Sequence, residues 1–156
     1  MFSIGDKVVY PMHGAGVIEK IEEKTILGET KAYYILRIPH GNMQVMVPVD
    51  GGSNGLRSIA EPEMIESVRS VLSSESTPMD SNWNRRNRAN MEKLKTGDIC
   101  EVAGVVRNLL RTDRMKTLST GEKKLLLNAK QILVSEISLV LGIEEKEAED
   151  MIDSAV

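Results

Sequence analysis

The first sixty residues alternate short apolar runs with glycine-containing turns, and no run among them has helical spacing. This pattern predicts four strands at residues 7–10, 17–22, 31–38 and 43–49, with a hairpin turn at Gly28 and Glu29. Strands of this length and spacing indicate a small antiparallel β barrel of the SH3 or Tudor type. Because Pro48 has no N–H to donate, its strand is expected at an edge, where a partner's strand can pair with it.

Residues 50–55 contain three glycines and mark the clearest boundary in the chain. We therefore predict a barrel domain at residues 1–55 and an all-α domain at residues 56–156, an α+β multidomain fold. Helical spacing and capping residues predict five helices in the second domain, at residues 61–73, 82–97, 98–111, 120–141 and 144–155. The fourth has apolar residues on more than one face, so it should be the centre of the helical core.

The net charge of −3 is unevenly distributed along the chain. Residues 1–60 hold six basic and six acidic groups, whereas residues 81–131 hold twelve basic and five acidic groups, a net +7. The segments on either side are acidic, with net charges of −4 at 61–80 and −6 at 132–156. The positive charge forms one block that continues through Arg107, Arg111 and Arg114, which suits a nucleic-acid partner despite the acidic total.

Trp83, the only tryptophan of the chain, stands near the start of this block and is followed by Arg85, Arg86 and Arg88. Two interpretations fit these residues. Single tryptophans are usually packing residues and charge runs are usually solvated faces, which favours a core tryptophan at a helix start. A flat apolar ring among guanidinium groups also suits a surface that contacts phosphates and presses a side chain against bases.

No arrangement of residues suggests catalysis. His13 and His40 lie in separate glycine-containing turns, and neither belongs to a cluster with metal-ligand spacing. The lone Cys100 has no neighbouring base and is expected to be a small buried residue of the third helix. We therefore expect a protein that is not an enzyme and needs no metal or cofactor. A single cysteine, no visible export signal and no long apolar run favour a cytoplasmic protein without a membrane partner.

Several ordered motifs are spread along nearly the whole chain. The N-terminal motif is G-D-x-V-V-Y-P-x-H-G-A-G-V from Gly5, followed later by V-P at Val47. The longest motif, N-W-x-R-R-x-R-A-N-x-E-K-L-x-x-G-D, begins at Asn82. It is followed by L-S-x-G-E-K from Leu118 and A-x-Q-I-L from Ala129. In sequence and in order, these motifs closely resemble those of the CarD/CdnL family of bacterial transcription regulators.

This resemblance implies a Tudor-like domain that binds the β subunit of RNA polymerase and a helical domain that meets promoter DNA just upstream of the melted −10 region. Members of the family stabilise the open promoter complex. The resemblance also implies that Trp83 is a wedge, placed in the minor groove at the upstream edge of the bubble. The residues expected to hold phosphates are Arg85, Arg86, Arg88 and Lys123. The residues expected to contact polymerase are Lys24 and the edge-strand residues Met43, Gln44, Val45, Met46 and Val47.

The chain departs from the family pattern at the polymerase surface. Lys24 and Met46 stand where some relatives have arginine, so the first position loses the bidentate fork and the second loses the charge. The polymerase contact is therefore expected to be more apolar, or weaker, than in those relatives. We expect a monomer. The alternative hypothesis is a protein-interaction adaptor, whose barrel binds a peptide and whose helices have no direct role on DNA.

Overall fold

The computed structural model describes residues 2–49 and 55–156, apart from the side chain of His40. Within these ranges five strands form one antiparallel sheet: β1 is Lys7–Tyr10, β2 Gly14–Ile26, β3 Glu29–Ile38, β4 Met43–Pro48 and β5 Arg57–Ser58. Their order across the sheet is β4-β3-β2-β1-β5. A 3-10 turn at His40–Asn42 joins β3 to β4. The predicted fold class, a small antiparallel β domain followed by helices, is confirmed.

Inward-facing side chains of β1, β2 and β3 form the core of the sheet. The fully buried members are Val8, Ile18, Tyr34, Leu36 and Ile38. β2 and β3 are longer than predicted because they continue as a ribbon to a two-residue turn at Leu27 and Gly28, both with positive φ. A register shift between Ile18 and Lys20 marks a bulge in β2, which bends the strand at this point.

The two outer strands differ in how well the sequence predicts them. β4 lies at one edge and ends at Pro48, as the missing proline N–H predicts. The sequence does not predict β5, in which Arg57 and Ser58 pair with Val9 and Val8 of β1. The sheet therefore includes two residues that the prediction assigned to the helical domain. The division of the chain at residue 55 stays a prediction, and residues 50–54 of the glycine-rich boundary lie outside the described ranges.

Five α helices occupy the second described range: α1 is Met64–Ser73, α2 Trp83–Lys95, α3 Ile99–Met115, α4 Thr120–Leu141 and α5 Glu145–Ala155. The side chains of Asn82, Asp98 and Ser119 cap α2, α3 and α4 by accepting backbone N–H bonds. Gly142, in the left-handed conformation, ends α4. Among the described residues, no single helix has the length and apolar content to cross a membrane; only α4 and α5 taken together do, and they are bent by 114°.

α4 is the central element of the helical core, as its apolar pattern predicts. It packs against α3, α5 and the sheet strand β2. The buried α4 residues of this core are Leu125, Leu126, Ala129, Ile132, Leu133, Val134 and Ile137. Their burial on more than one side explains why the apolar residues of α4 cover more than a single stripe.

α4 also joins the helices to the sheet. The backbone N–H of Ala15 in β2 donates to the hydroxyl oxygen of Ser135 at 2.9 Å. Gly14, with φ +113°, allows this approach, because a Cβ there would lie 2.9 Å from the same oxygen. The next residue, Glu136, is only 2% exposed and accepts two hydrogen bonds from the Arg57 guanidinium, at 2.7 and 2.8 Å. Its carboxylate also accepts the Ala60 N–H at 2.8 Å, so β5 and the segment after it are fixed to α4.

We predict that Arg57→Ala lowers the free energy of unfolding by about 3–5 kcal/mol, because it leaves the buried Glu136 carboxylate without its charged partner. Urea unfolding measures the change. Arg69→Ala is the matched control, since Arg69 makes only an exposed pair with Glu66 at 3.9 Å, and it should cost less than about 0.5 kcal/mol. Replacing both Arg57 and Glu136 with methionine should recover most of the loss. Equal stability of Arg57→Ala and the wild type would contradict the prediction.

Candidate nucleic-acid interface

Trp83 is the first residue of α2, and its position follows from the cap of that helix. The side chain of Asn82 accepts a hydrogen bond from the backbone N–H of Arg85 at 3.1 Å, which starts the helix at the tryptophan. The side chain of a first-turn residue can extend beyond the helix end. Trp83 is 44% exposed, so it is not the core tryptophan of the first interpretation.

The covered part of the indole lies against the first turn of α4. Its Nε1 donates to the hydroxyl oxygen of Ser119 at 3.3 Å. The six-membered ring lies beside Gly121, where a Cβ would stand 3.2 Å from Cζ2 of Trp83. The N-termini of α2 and α4 therefore meet at the tryptophan, and both contribute the positive potential of a helix N-terminus.

Arg86 forms the strongest link between these two helices. Its guanidinium donates to both oxygens of Glu122, from Nε at 2.8 Å and from Nη2 at 2.9 Å. Its Nη1 donates to the carbonyl oxygens of Asp80 and Ser81. Glu122 is only 5% exposed. The hydrogen bonds from Arg86 hold the pKa of Glu122 below its ordinary value, and the same bonds raise the pKa of Arg86. Arg86 thus has all its guanidinium nitrogens bonded within the protein.

Arg85, Arg88 and Lys123 face solvent instead. Arg85 has a side-chain exposure of 73%, and its contact with Asp80 is a long ion pair of 3.8 Å. Arg88 follows Arg85 by three residues, so the two share a side of α2, whereas Arg86 lies on the side that faces α4. Lys123 is in the first turn of α4. Their charges are available to a ligand outside the protein.

The basic block of the sequence is not one surface, because the arginines of α3 bind the protein itself. Arg107, predicted to extend the block, is only 5% exposed and donates to the Val71 carbonyl oxygen and the Ser74 hydroxyl, both at 2.9 Å. Burial lowers its pKa. Arg111 donates to carbonyl oxygens at the end of α1, and Arg114 to those at the end of α5. These side chains bind the carbonyl oxygens at the ends of neighbouring helices. The net charge of +7 for residues 81–131 therefore overstates the positive charge that is available to a ligand.

The predicted polymerase surface lies on the edge strand β4. Met43 and Met46 are exposed, whereas Val45 is half-buried and Val47 is fully buried in the sheet core.

The two polar residues of this surface already have partners within the protein. Gln44 donates to Glu19 at 2.9 Å, and Lys24 forms an ion pair with Glu22 at 3.1 Å. Among the described strands β3 is the one neighbour of β4, which makes β4 an edge strand, and an edge strand can accept a strand from another chain. Val47 can contribute backbone groups there, but its side chain is not available.

The residues with potential reactivity do not form a cluster. In the described part of the chain, no group of three His, Cys, Asp or Glu residues could hold a metal ion. The ring of His13 stacks on Tyr10, with centroids 4.6 Å apart, and the His40 side chain lies outside the described part. Cys100 is half-buried rather than fully buried, and burial raises the pKa of its thiol.

The roles of the two buried carboxylates of α4, Glu122 and Glu136, are not evident from the sequence. Glu122 fits a capping box, but its side chain bonds to Arg86. Glu136 stands alone among the apolar residues of α4, and a lone acid in a buried stretch signals an ion pair. That signal does not reveal the partner, because Arg57 is 79 residues away in sequence.

Comparisons with known proteins identify the family of this chain. Residues 2–60 match the family model described as the CarD-like/TRCF RID domain, and residues 67–153 match the model described as the CarD C-terminal domain. The chain is 41% identical over 148 residues to a protein of Bacillus subtilis (strain 168) described as "Putative transcription factor YdeB". That alignment covers 94% of this chain and 97% of the relative.

We predict that the stabilising effect of Glu122 depends on pH. Because its pKa in the folded protein lies below the ordinary 4.5, ionised Glu122 stabilises the fold above that pH, and the effect is lost as the pH falls further. The measurement is urea unfolding of the wild type and Glu122→Gln at pH 7 and at pH 3. The difference between them should be smaller at pH 3.

The matched control is Glu92→Gln, which removes an exposed carboxylate whose pair with Lys95 spans 3.6 Å. This change should alter the free energy of unfolding by less than about 0.5 kcal/mol at pH 7. A difference for Glu122→Gln that stays constant between the two pH values would contradict a stabilising ion pair with Arg86.

Proposed function

Because the chain belongs to the CarD family of transcription factors, whose N-terminal domain is an RNA polymerase-interacting domain, we propose that it stabilises the open promoter complex. It does so by binding the polymerase β subunit and promoter DNA at the same time. The family makes the chain a transcription regulator, and the proposal assigns it no catalytic step.

The observation that carries the proposal is the half-exposed indole of Trp83 at the meeting point of two helix N-termini. A flat apolar ring can enter the minor groove between base steps, at an unstacking cost of roughly a few kcal/mol in intact duplex. At the upstream edge of a melted bubble the stacking is already disrupted, so much of that cost is absent. The ring then opposes reclosure of the bubble, because the bases cannot restack while it is in place.

Exposed cations near the N-termini of α2 and α4 suit the phosphates that flank such a wedge. Arg85, Arg88 and Lys123 have side chains open to solvent, and the helix N-termini add to the positive potential. Contacts of this kind position a protein on DNA without reading its sequence. We assign these three residues the phosphate contacts. Arg86 contributes charge while it holds α2 to α4, and its own contact with a phosphate remains a prediction.

The edge of β4 suits the contact with polymerase. Its outer edge between Met43 and Val47 can add a strand from the β subunit, and the exposed Met43 and Met46 supply soft apolar surface beside that strand. Lys24, three residues before Leu27 of the ribbon turn, lines the same surface cleft as Gln44 and Met46 and adds a charge there. Because Arg57 and Ser135 link the sheet to α4, a polymerase bound at β4 would also fix where Trp83 lies.

We predict that Trp83→Ala removes most of the lengthening that the wild type gives to open-complex lifetime, while binding to polymerase is unchanged. The measurement is the decay of open complexes after addition of a competitor, paired with a polymerase-binding titration. Leu127→Ala, which truncates another exposed apolar side chain of the helical domain, is the control and should keep the full lifetime. A Trp83→Ala protein with the full lifetime would refute the wedge and favour the adaptor alternative.

Met46→Asp tests the polymerase contact rather than the DNA contact. It places a charge beside the proposed strand pairing and should therefore weaken polymerase binding. Met64→Asp changes a methionine of similar exposure on α1 and should leave that binding intact. If Met46→Asp binds polymerase as the wild type does, the contact does not lie on β4.

A further inference from the structure

We infer that Gly121 and Ser119, in the first turn of α4, are positioning residues that set the orientation of the Trp83 indole before DNA is met. This inference rests on the proposed function and adds a specific role for two residues outside the cluster of cations. The contacts that support it are the approach of the indole to Gly121 and the bond from its Nε1 to Ser119.

The backbone at Gly121 does not itself require a glycine. Gly121 lies within α4 and has no positive φ, so an alanine would fit the helix and would favour it more than glycine does. A Cβ added at position 121 would contact the indole, 3.2 Å from Cζ2 and 3.9 Å from Cη2 of Trp83. The glycine therefore makes room for the ring at the expense of helix propensity.

Ser119 supplies the second contact. Its hydroxyl oxygen accepts hydrogen bonds from Nε1 of Trp83 and from the backbone N–H of Glu122, each at 3.3 Å. One side chain thus caps α4 and fixes the N–H side of the indole. With Gly121 beside the six-membered ring, both rings of the indole are set against α4, and the remaining surface of Trp83 faces outward.

The ion pair between Arg86 and Glu122 limits how α2 and α4 can adjust around the indole. Arg86 lies one turn after Trp83 in α2, and its partner Glu122 directly follows Gly121 in α4. The Arg86–Glu122 pair holds the two helices together and opposes movement of α2 away from a larger residue at position 121. A Cβ there would require the indole to shift from its place against α4 by a few tenths of an ångström. A ring oriented in advance loses less rotamer freedom when it enters DNA than one that moves freely.

The test is Gly121→Ala, with tryptophan fluorescence, thermal unfolding and open-complex lifetime as readouts. Because Trp83 is the only tryptophan, its emission reports the position of this ring alone. We expect emission shifted to longer wavelength, an unfolding temperature equal to or above that of the wild type, unchanged polymerase binding, and a lifetime shortened several-fold. A purely structural role of Gly121 would not separate stability from lifetime in this way.

Gly104→Ala is the matched control, because Gly104 also lies in a helix and its Cβ would meet only an ordinary contact, 3.8 Å from Nη2 of Arg107. Neither its emission nor its lifetime should change. Ser119→Ala should shift the emission and shorten the lifetime as Gly121→Ala does, whereas Ser119→Thr, which keeps the hydroxyl, should restore both. These variants keep the inference testable if Gly121→Ala fails to fold.

Two outcomes would overturn the inference. Unchanged emission in both Gly121→Ala and Ser119→Ala would mean that α4 does not orient the ring. Shifted emission with the full lifetime would mean that the orientation has no consequence for the promoter. If Trp83→Ala shortens the lifetime and Gly121→Ala does not, only this inference fails, whereas a Trp83→Ala protein with the full lifetime removes the proposed function itself.

Discussion

The arrangement of this molecule depends on two carboxylates that α4 carries into the protein interior. Glu122 and Glu136 are almost fully buried, and a buried carboxylate is tolerated only when it is paired and hydrogen-bonded. Each forms an ion pair with an arginine of a different element: Glu122 pairs with Arg86 of α2, and Glu136 pairs with Arg57 of β5. Such pairs contribute little net stability, but breaking one is costly, so they restrict the chain to geometries in which both are made.

Because both ion pairs form with α4, the sheet that contains edge strand β4 and the helix that carries Trp83 are attached to the same helix. The Glu136 pair and the Ala15–Ser135 bond fix the sheet to the C-terminal half of α4, while the Glu122 pair fixes α2 to its first turn. One continuous helix carries both sets of contacts, so the position of the sheet relative to Trp83 depends on the segment of α4 between Glu122 and Glu136. In the proposed function this is how polymerase, bound at the sheet, delivers the indole to the edge of the bubble. The proposed wedge would need no sequence preference, since polymerase would determine its place on the promoter.

The parts that sequence analysis predicts are those governed by local chemistry. Ser119 and Gly142 bound α4 at the expected residues, and Pro48 identifies the edge strand, because caps and missing donors act within a few residues. The parts it does not predict depend on contacts between distant residues. β5 is a two-residue bridge to β1, Arg107 is buried against the end of α1, and Arg86 meets a carboxylate 36 positions away. Counting charges along the sequence does not distinguish Arg85, which is exposed, from Arg86, which is paired with Glu122. The resemblance to CarD proteins identified the family, and the structure distinguishes arginines available to a ligand from those bonded within the protein.

The central claim is that the side chain at position 83 touches promoter DNA at the upstream edge of the bubble. The most direct measurement places the photoreactive amino acid p-benzoylphenylalanine at that position and maps its cross-links in complexes with polymerase and promoter. We predict cross-links to DNA at the upstream edge of the melted region in open complexes, at the same place on promoters of different sequence. Cross-links only to polymerase, or to DNA away from that edge, would contradict it.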